Sequence, residues 1–275
     1  MQQEILSPEQ IAEFHERGVL KVDFGFAAEL PDQIVRKVDS LYENPYRENP
    51  LQPTRVQDAW KQVDEVRQLA VDRNVLAALE QLVGRKALPF QTLNFPIGTT
   101  QCAHSDTIHF NTMPEGYMAG VWVALEDIDL DNGALVYYPG SHKLPYYSMQ
   151  DLGLEPGYAH YHEYEQCIQN LIADENLQPE YGVINKGEAI IWHANLLHGG
   201  SSRKDIARTR HSQVTHYYFE GCKYYTPMES KPGKPSFRHP FWIPDSEYFE
   251  PPLAPHELPL WRRAGNKLGR LLGRS

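Results

Sequence analysis

The sequence is short of cysteine, of positive charge and of long apolar runs, and each shortage excludes a class of protein. Its three cysteines cannot all pair and none stands in a Cys-x-x-Cys motif, so we expect reduced thiols. The formal net charge of −10 argues against a nucleic-acid partner, because binding to phosphates needs clustered Lys and Arg. No apolar stretch is long enough to span a bilayer, and no signal-peptide pattern is visible. We therefore expect a soluble, acidic, cytoplasmic protein.

The first third of the chain carries helical patterns. With 41% hydrophobic residues the chain has enough apolar side chains for a real core. Ser7 and Gln10 have the spacing of a capping box at the start of a first helix. A longer helical pattern runs over residues 58–83 and ends at Gly84. Residues 1–86 are therefore predicted to form a helical scaffold within a single domain of residues 1–258.

From residue 87 the pattern changes to short β-type runs separated by Gly, Pro and Asn, which predicts an antiparallel β core over residues 87–225. Residues 144–185 interrupt this pattern with a helical segment, as a lid or insertion would. A C-terminal extension covers residues 226–258. The last segment, 259–275, carries five basic residues and no acid, and its three glycines favour a poorly ordered tail over a membrane-surface or partner-binding helix.

Two β-type segments carry possible metal ligands. His104 and Asp106 are two apart in a strand-like run, so their side chains are expected on one face, although this spacing alone is weak evidence. In IIWHANLLHGGSS, His198 precedes two glycines that allow close backbone approach. His193 in the same segment is a rival ligand, and the spacing does not decide between the two histidines.

A third segment, ARTRHSQVTHYYF, places Arg210 on the same strand face as Val214 and His216. Burying an arginine in the core costs free energy unless its charge is paired. One function that would explain an arginine at this position is bidentate binding of a carboxylate. The alternative is pairing with an acid of the protein itself. Together, two His and one Asp match the facial triad of non-haem iron(II) oxygenases.

Four motifs carry a family resemblance: HSDTIHF, GVWVALEDIDLDNGALVYYPGSHK, KGEAIIWHANLLHGGS and TRHSQVTHYY. With them the sequence resembles the phytanoyl-CoA dioxygenase-like family of Fe(II)- and 2-oxoglutarate-dependent oxygenases. The resemblance implies an α+β, mainly β chain whose core is a double-stranded β-helix of the jelly-roll or cupin-like type, with N-terminal helices packed on one sheet. It implies that His104, Asp106 and His198 are the metal ligands and that Arg210 binds the cosubstrate.

The resemblance also extends to residues around these four. Trp122 matches a family tryptophan that lines the site, and we assign Ser201 and Gln91 to cosubstrate binding as well. We assign His142, Tyr117 and His109 to the substrate. Related halogenases replace the metal-binding aspartate by Gly or Ala, so its presence here favours hydroxylation.

The resulting hypothesis is a dioxygenase that uses Fe(2+), 2-oxoglutarate and O2 to hydroxylate a small molecule, releasing succinate and CO2. A zinc-dependent hydrolase and a catalytically silent β-barrel binding protein remain as alternatives. Residues 144–185 contain seven acids and no Lys or Arg. As a lid, such a segment would repel a polyanion and suit a neutral or cationic substrate, whereas the alternative is a solvated helix face.

Overall fold

The computed structural model describes residues 4–42 and 55–245, so the predicted tail 259–275 and the end of the extension, 246–258, lie outside the described residues. The helices are α1 Pro8–Arg17, α2 Leu30–Val38, α3 Asp64–Ala70, α4 Arg73–Val83 and α5 Tyr161–Asp174. The strands are β1 Val19–Asp23, β2 Val56–Gln57, β3 Ala87–Phe95, β4 Asn111–Met113, β5 Met118–Ala124, β6 Leu135–Tyr137, β7 Glu180–Tyr181, β8 Glu188–His193, β9 His198–Gly200, β10 Ser212–Phe219 and β11 Lys223–Tyr225. Within these ranges no helix is both long and apolar enough to cross a membrane.

Local capping signals set most of the helix ends. The predicted capping box at Ser7 is present, and Gly18 ends α1 in the left-handed region with φ of 75°. The prediction of one helical run over residues 58–83 is wrong, because the chain forms two helices, α3 and α4. Asp72 begins the second helix, since its carboxylate accepts hydrogen bonds from the backbone N–H groups of Asn74 and Val75.

The core consists of two facing antiparallel sheets, as the jelly-roll prediction requires. The larger sheet has six strands in the order β1-β8-β5-β10-β3-β2, and the smaller has the order β7-β6-β9, while β4 and β11 form a separate pair. The edge strands β1 and β2 come from the first 86 residues, so the sheet extends beyond the predicted β segment. The run TTQCAHSDTIHF is not a strand. It contains only a single bridge at His104, followed by a 3₁₀ turn over Asp106–Ile108.

Alternate residues of the central strands face different layers. Val121 on β5 and Ile191 on β8 pack with the helices α1–α4 on the outer face of the larger sheet. Their neighbours Trp122 and Trp192 point to the opposite face and pack with Tyr137 of the smaller sheet. The prediction that the N-terminal helices pack on one sheet is confirmed, and the space between the two sheets remains for a functional site.

The predicted lid segment and the extension close one end of this space. Helix α5 buries Tyr164 and Ile168 in an apolar cluster that also contains Ile108 and Met228. The described part of the extension is anchored to the larger sheet, because the N–H of Ile243 donates to the carbonyl of Pro89 at 2.8 Å. Both segments are therefore packed parts of the fold.

Candidate metal centre and active-site cavity

Two separated segments bring three possible metal ligands together. The backbones of His104 and His198 exchange two hydrogen bonds of 2.9 and 3.0 Å, which fixes the two imidazoles side by side. After His104 the hydroxyl of Ser105 accepts a hydrogen bond from the N–H of Thr107 and starts the 3₁₀ turn. This turn, rather than the alternation of a strand, directs Asp106 toward the two histidines.

The two glycines after His198 make this approach possible. A Cβ atom at Gly199 would lie 2.7 Å from the carbonyl oxygen of Gln101, and a Cβ at Gly200 would overlap the carbonyl of Thr99. Neither glycine has a positive φ. Of the two roles predicted for this pair, close backbone approach is therefore the one observed.

The ligand atoms of His104, Asp106 and His198 all lie within 4.8 Å of one another. Each Nδ1 lies 3.0 Å from a backbone carbonyl two residues earlier, that of Cys102 for His104 and that of Leu196 for His198. Because a carbonyl can only accept, each Nδ1 carries a proton, and each Nε2 is the ring nitrogen that is left to bind a metal. These Nε2 atoms are 3.7 Å and 3.8 Å from the Asp106 carboxylate.

The carboxylate of Asp106 is oriented by a hydrogen bond from a buried tryptophan. The indole N–H of Trp192 donates to its Oδ2 at 2.8 Å. Gly120 lies opposite Trp192 on the neighbouring strand, and a Cβ at Gly120 would overlap the indole ring. The absence of a side chain at this position therefore leaves room for the tryptophan to reach the aspartate.

The electrostatics keep His104 and Asp106 in their metal-binding forms. Burial lowers the pKa of His104 to about 3, with the neighbouring His198 acting in the same direction. Burial alone would raise the pKa of Asp106, but the imidazoles of His198, His216 and His104 and the Trp192 N–H outweigh it and lower this pKa to about 2. A buried carboxylate beside two buried imidazoles fits the facial triad that binds iron(II) and leaves further positions open.

These ligands line a cavity of about 680 Å³, which is within the usual range of roughly 300–1,000 Å³ for small-molecule sites. Arg210, two residues before the start of β10, lines the same cavity and is 3% exposed. Its Nη1 donates to the carbonyl of Gly133 at 2.9 Å, while its buried Nε has no partner. Burial lowers the pKa of Arg210 to about 10, so the group remains charged at neutral pH. No carboxylate of the described residues forms an ion pair with it, contrary to the alternative in which an acid of the protein satisfies it.

The remaining predicted site residues divide into two groups. Trp122, Gln91 and His109 line the cavity, and the Arg210 guanidinium lies 5.6 Å from the centre of the Trp122 ring. Ser201 does not line it, because its hydroxyl donates to the carbonyl of Ala134 at 2.6 Å.

His142 and Tyr117 also lie outside the cavity lining. His142 is bonded to the carbonyl of His15 at 3.1 Å, and the Arg85 guanidinium stacks 3.7 Å from the ring of Tyr117. The rival ligand His193 lies away from the cavity too, next to His142 and Tyr146.

Sequence reasoning missed several cavity residues. No role is predicted from the sequence for Trp192, which donates a hydrogen bond to Asp106. His216 was noted on the face of Arg210 without a role, yet its Nε2 lies 3.7 Å from Oδ2 of Asp106. Arg55 and Arg238 also line the cavity, and no motif marks them. The face shared by residues 210, 214 and 216 was the one available signal.

The acidic side chains of the predicted lid segment do not line the cavity. None of the seven acids in residues 144–185 lines it, and only Tyr158 and Tyr161 of this segment do. Five of the seven acids are exposed to solvent, namely Asp151, Glu155, Glu163, Asp174 and Glu175. The expectation of an acidic wall around the substrate is therefore wrong, and the solvated helix face is the correct interpretation.

Comparison with known proteins supports this geometry. A family model described as "Phytanoyl-CoA dioxygenase (PhyH)" matches residues 3–209. The peroxisomal phytanoyl-CoA dioxygenase of Rattus norvegicus is 30% identical over 125 residues, which is 44% of this chain and 34% of that protein. The chain thus matches about a third of the length of such curated relatives.

Solved structures share the fold at low identity. EctD from S. alaskensis with bound Fe has a TM-score of 0.66 and 18% identity, covering 92% of this chain and 87% of that one. The epimerase SnoN in complex with Fe3+, alpha ketoglutarate and nogalamycin RO has a TM-score of 0.60 and 17% identity, covering 88% and 96%. At these identities the likeness shows the fold, which is the cupin-like core already described.

Proposed function

Because this chain belongs to the phytanoyl-CoA dioxygenase family, we propose that it is an Fe(II)- and 2-oxoglutarate-dependent dioxygenase that hydroxylates a small molecule. The observation that carries the proposal is one cavity that holds both the buried His104–Asp106–His198 cluster and the buried Arg210. The first feature suits a metal with open positions, and the second suits the carboxylate of a cosubstrate.

The residues would divide the work as follows. His104, Asp106 and His198 would hold Fe(II), which supplies a centre where 2-oxoglutarate and O2 react together, giving succinate and CO2 as the substrate is oxidised. Arg210 would bind the far carboxylate of 2-oxoglutarate through the Nε that has no protein partner. Trp122 lies beside the guanidinium and restricts its movement. Gln91 lines the same cavity and is proposed to contact the cosubstrate.

The cavity walls exclude water from the centre. The three ligand residues are at most 6% exposed, and the buried ring of Trp192 packs against His198 and donates a hydrogen bond to Asp106. In such a dry site the fixed tautomers of His104 and His198 need no rearrangement when the metal binds.

A zinc hydrolase would account for the three ligands but not for Arg210, whose burial without an acid is costly unless a ligand supplies the carboxylate. A silent binding protein would leave the Asp106 carboxylate buried among three imidazoles with no use. Neither alternative has an observation in its favour.

The experiment is anaerobic addition of Fe(II) to metal-free protein, followed by 2-oxoglutarate, with the visible charge-transfer band of the chelate as readout. We expect a band in the parent protein and a need for at least tenfold more cosubstrate in Arg210→Gln. Arg208→Gln is the matched control, because Arg208 pairs with Asp129 on the surface. Bound metal without a band in the parent would refute the proposal.

The reaction type and the compartment are separate parts of the proposal. Hydroxylation is supported by the retained Asp106, and product analysis after a substrate screen tests it. A cytoplasmic location is supported by the free thiols of Cys102, Cys167 and Cys222, although the rat relative is described as peroxisomal. Imaging of a fluorescent fusion tests the location.

A further inference from the structure

We propose that the substrate carries a carboxylate, which Arg238 and Arg55 of the cavity lining bind, while its apolar body lies against Tyr158 and Phe110. This inference rests on the proposed function, because it takes Arg210 to be occupied by 2-oxoglutarate. It is drawn from the cationic and aromatic residues that neither the metal nor the cosubstrate uses.

Arg238 is a fixed cation in the cavity wall. Its Nη1 donates to the carbonyl of His109 at 3.0 Å, and the guanidinium lies 4.6 Å from the centre of the Phe110 ring. These contacts use one N–H donor and one face of the guanidinium plane. The other N–H donors of the guanidinium therefore remain for a ligand. No carboxylate among residues 4–42 and 55–245 forms an ion pair with Arg238 or Arg55. A half-buried arginine held this way is prepared to bind an anion.

Arg55 lines the same cavity as Arg238. It comes directly before β2, the edge strand that pairs with β3 in the larger sheet. The residue is exposed, so its guanidinium is a second cation of the cavity lining that a ligand can reach.

The charge balance of the wall indicates one anionic group on the substrate. Among the residues that the structure describes, the cavity lining carries three guanidinium groups, those of Arg55, Arg210 and Arg238, against two carboxylates, those of Asp106 and Glu229. The two charges of Fe(II) and the two carboxylates of 2-oxoglutarate cancel each other. One positive charge is therefore left, and a single carboxylate on the substrate would neutralise it.

The aromatic groups beside these arginines suit an apolar body. Tyr158 stacks on His109 with ring centres 5.7 Å apart and planes 5° apart, and its side chain remains 54% exposed at the cavity rim. Phe110 lies beneath Arg238 and lines the cavity as well. An alkyl or aryl group bound here would cover apolar surface while its carboxylate meets the arginines.

This inference reverses the substrate charge expected from the sequence. The acids of residues 144–185 favoured a neutral or cationic substrate, but none of them lines the cavity, and among the described lining residues arginines outnumber carboxylates. Polyanions remain disfavoured, because the excess is a single positive charge.

The test measures binding of matched acids and amides to protein loaded with Fe(II) and saturating 2-oxoglutarate without oxygen. The probes are octanoate with octanamide, 3-phenylpropanoate with 3-phenylpropanamide, and indole-3-acetate with indole-3-acetamide. Calorimetry gives each dissociation constant. We expect at least one acid to bind about tenfold more tightly than its amide, since a charge-assisted hydrogen bond to Arg is worth that much.

Two variants and one control identify the residues. Arg238→Gln and Arg55→Gln are each expected to reduce the preference for the acid, and Arg55 is exposed, so its variant leaves the fold unchanged. Arg67→Gln, which alters an arginine paired with Asp64 outside the cavity, should keep the preference. Equal binding of acids and amides, no binding of any acid, or a preference that survives in both variants would overturn the inference. Absence of the chelate band would instead refute the proposed function.

Discussion

The indole N–H of Trp192 donates to Oδ2 of Asp106 at 2.8 Å. This contact orients the carboxylate between the two imidazoles and supports it in its ionised form. Trp192 reaches this position only because Gly120 on the neighbouring strand has no side chain.

Replacing Trp192 with Phe should weaken metal binding while keeping the packing of the ring. We expect a loss of roughly tenfold to hundredfold in Fe(II) affinity, which is typical when an outer hydrogen bond to a ligand is removed. Anaerobic metal titration measures it. Trp60→Phe is the matched control, because Trp60 also donates to an aspartate, Asp58, but outside the cavity. Equal affinities in the two variants would contradict the role of Trp192.

Replacing Gly200 with Ala should disturb the metal centre through the backbone. The new Cβ would overlap the carbonyl of Thr99, and relieving the overlap must separate the strand of His198 from the segment of His104. We expect a loss of about 1–3 kcal/mol in the free energy of unfolding together with weaker metal binding. Urea unfolding and metal titration measure the two effects.

Gly153→Ala is the control for this prediction. Gly153 has φ of 70° and open space around it, so an added Cβ meets backbone strain but no neighbouring atom. It should lower stability without altering metal affinity. If Gly200→Ala bound metal as the parent does, the close approach would not be needed for the site.

Replacing Arg210 with Met should separate function from stability. The guanidinium is buried, its Nε has no partner and no acid of the described residues pairs with it. Removing this charge from water therefore lowers the free energy of unfolding, and no ion pair compensates for the loss. We expect the free energy of unfolding of the metal-free protein to stay level or rise by about 1–2 kcal/mol, while 2-oxoglutarate binding is lost. Denaturant unfolding and the chelate band provide the two readouts, and a clear loss of stability would show that Arg210 is mainly structural.

The metal-free protein should lose stability in mildly acidic solution. Burial lowers the pKa of His104 to about 3 and those of His109, His193 and His216 to about 4, below the ordinary value of 6.5. As the pH falls below about 6.5, the unfolded chain takes up protons that the folded chain does not. The stability that these neutral groups provide is therefore lost between about pH 6.5 and 4, by up to about 1.4 kcal/mol per pH unit for each group.

His193→Gln offers a way to check this slope away from the metal centre. The Nδ1 of His193 accepts a hydrogen bond from the N–H of Asn195, which requires the neutral ring. Urea unfolding at pH 7, 6 and 5 gives the slope of the free energy of unfolding against pH. In this variant the slope should be smaller by about the contribution of one titrating histidine. His162→Gln, at an exposed position, should retain the parent slope. An unchanged slope in His193→Gln would contradict the prediction.

Local signals in the sequence were enough to predict much of the fold. The capping box at Ser7 and the stop at Gly18 depend on neighbouring residues only, and both are present. The break between α3 and α4 was missed because the apolar period continues across it while Asp72 competes for the backbone N–H groups. The spacing of apolar residues shows which face of a helix is buried. It does not show where one helix ends and the next begins in a different direction.

The site was less accessible to sequence reasoning. The resemblance named the ligand triad, but the strand predicted for His104 and Asp106 is in fact a bridge and a turn started by Ser105. Arg55 and Arg238 were missed because they reach the cavity from opposite ends of the chain, and such packing leaves no local pattern. Ser201 lies close in sequence to His198, yet its hydroxyl is used by the backbone.

The two halves of the cavity differ in how freely they can change. The ligands and Arg210 belong to paired strands or lie next to them, where an altered residue disturbs the sheet. Arg55 precedes β2, an edge strand of only two residues, while Tyr158 and Arg238 lie outside the paired strands, and the three segments are distant in sequence. Substrate selectivity can therefore change through these residues while the metal centre and the cosubstrate site stay the same. A combinatorial library at these three positions would be the economical route to retargeting the enzyme.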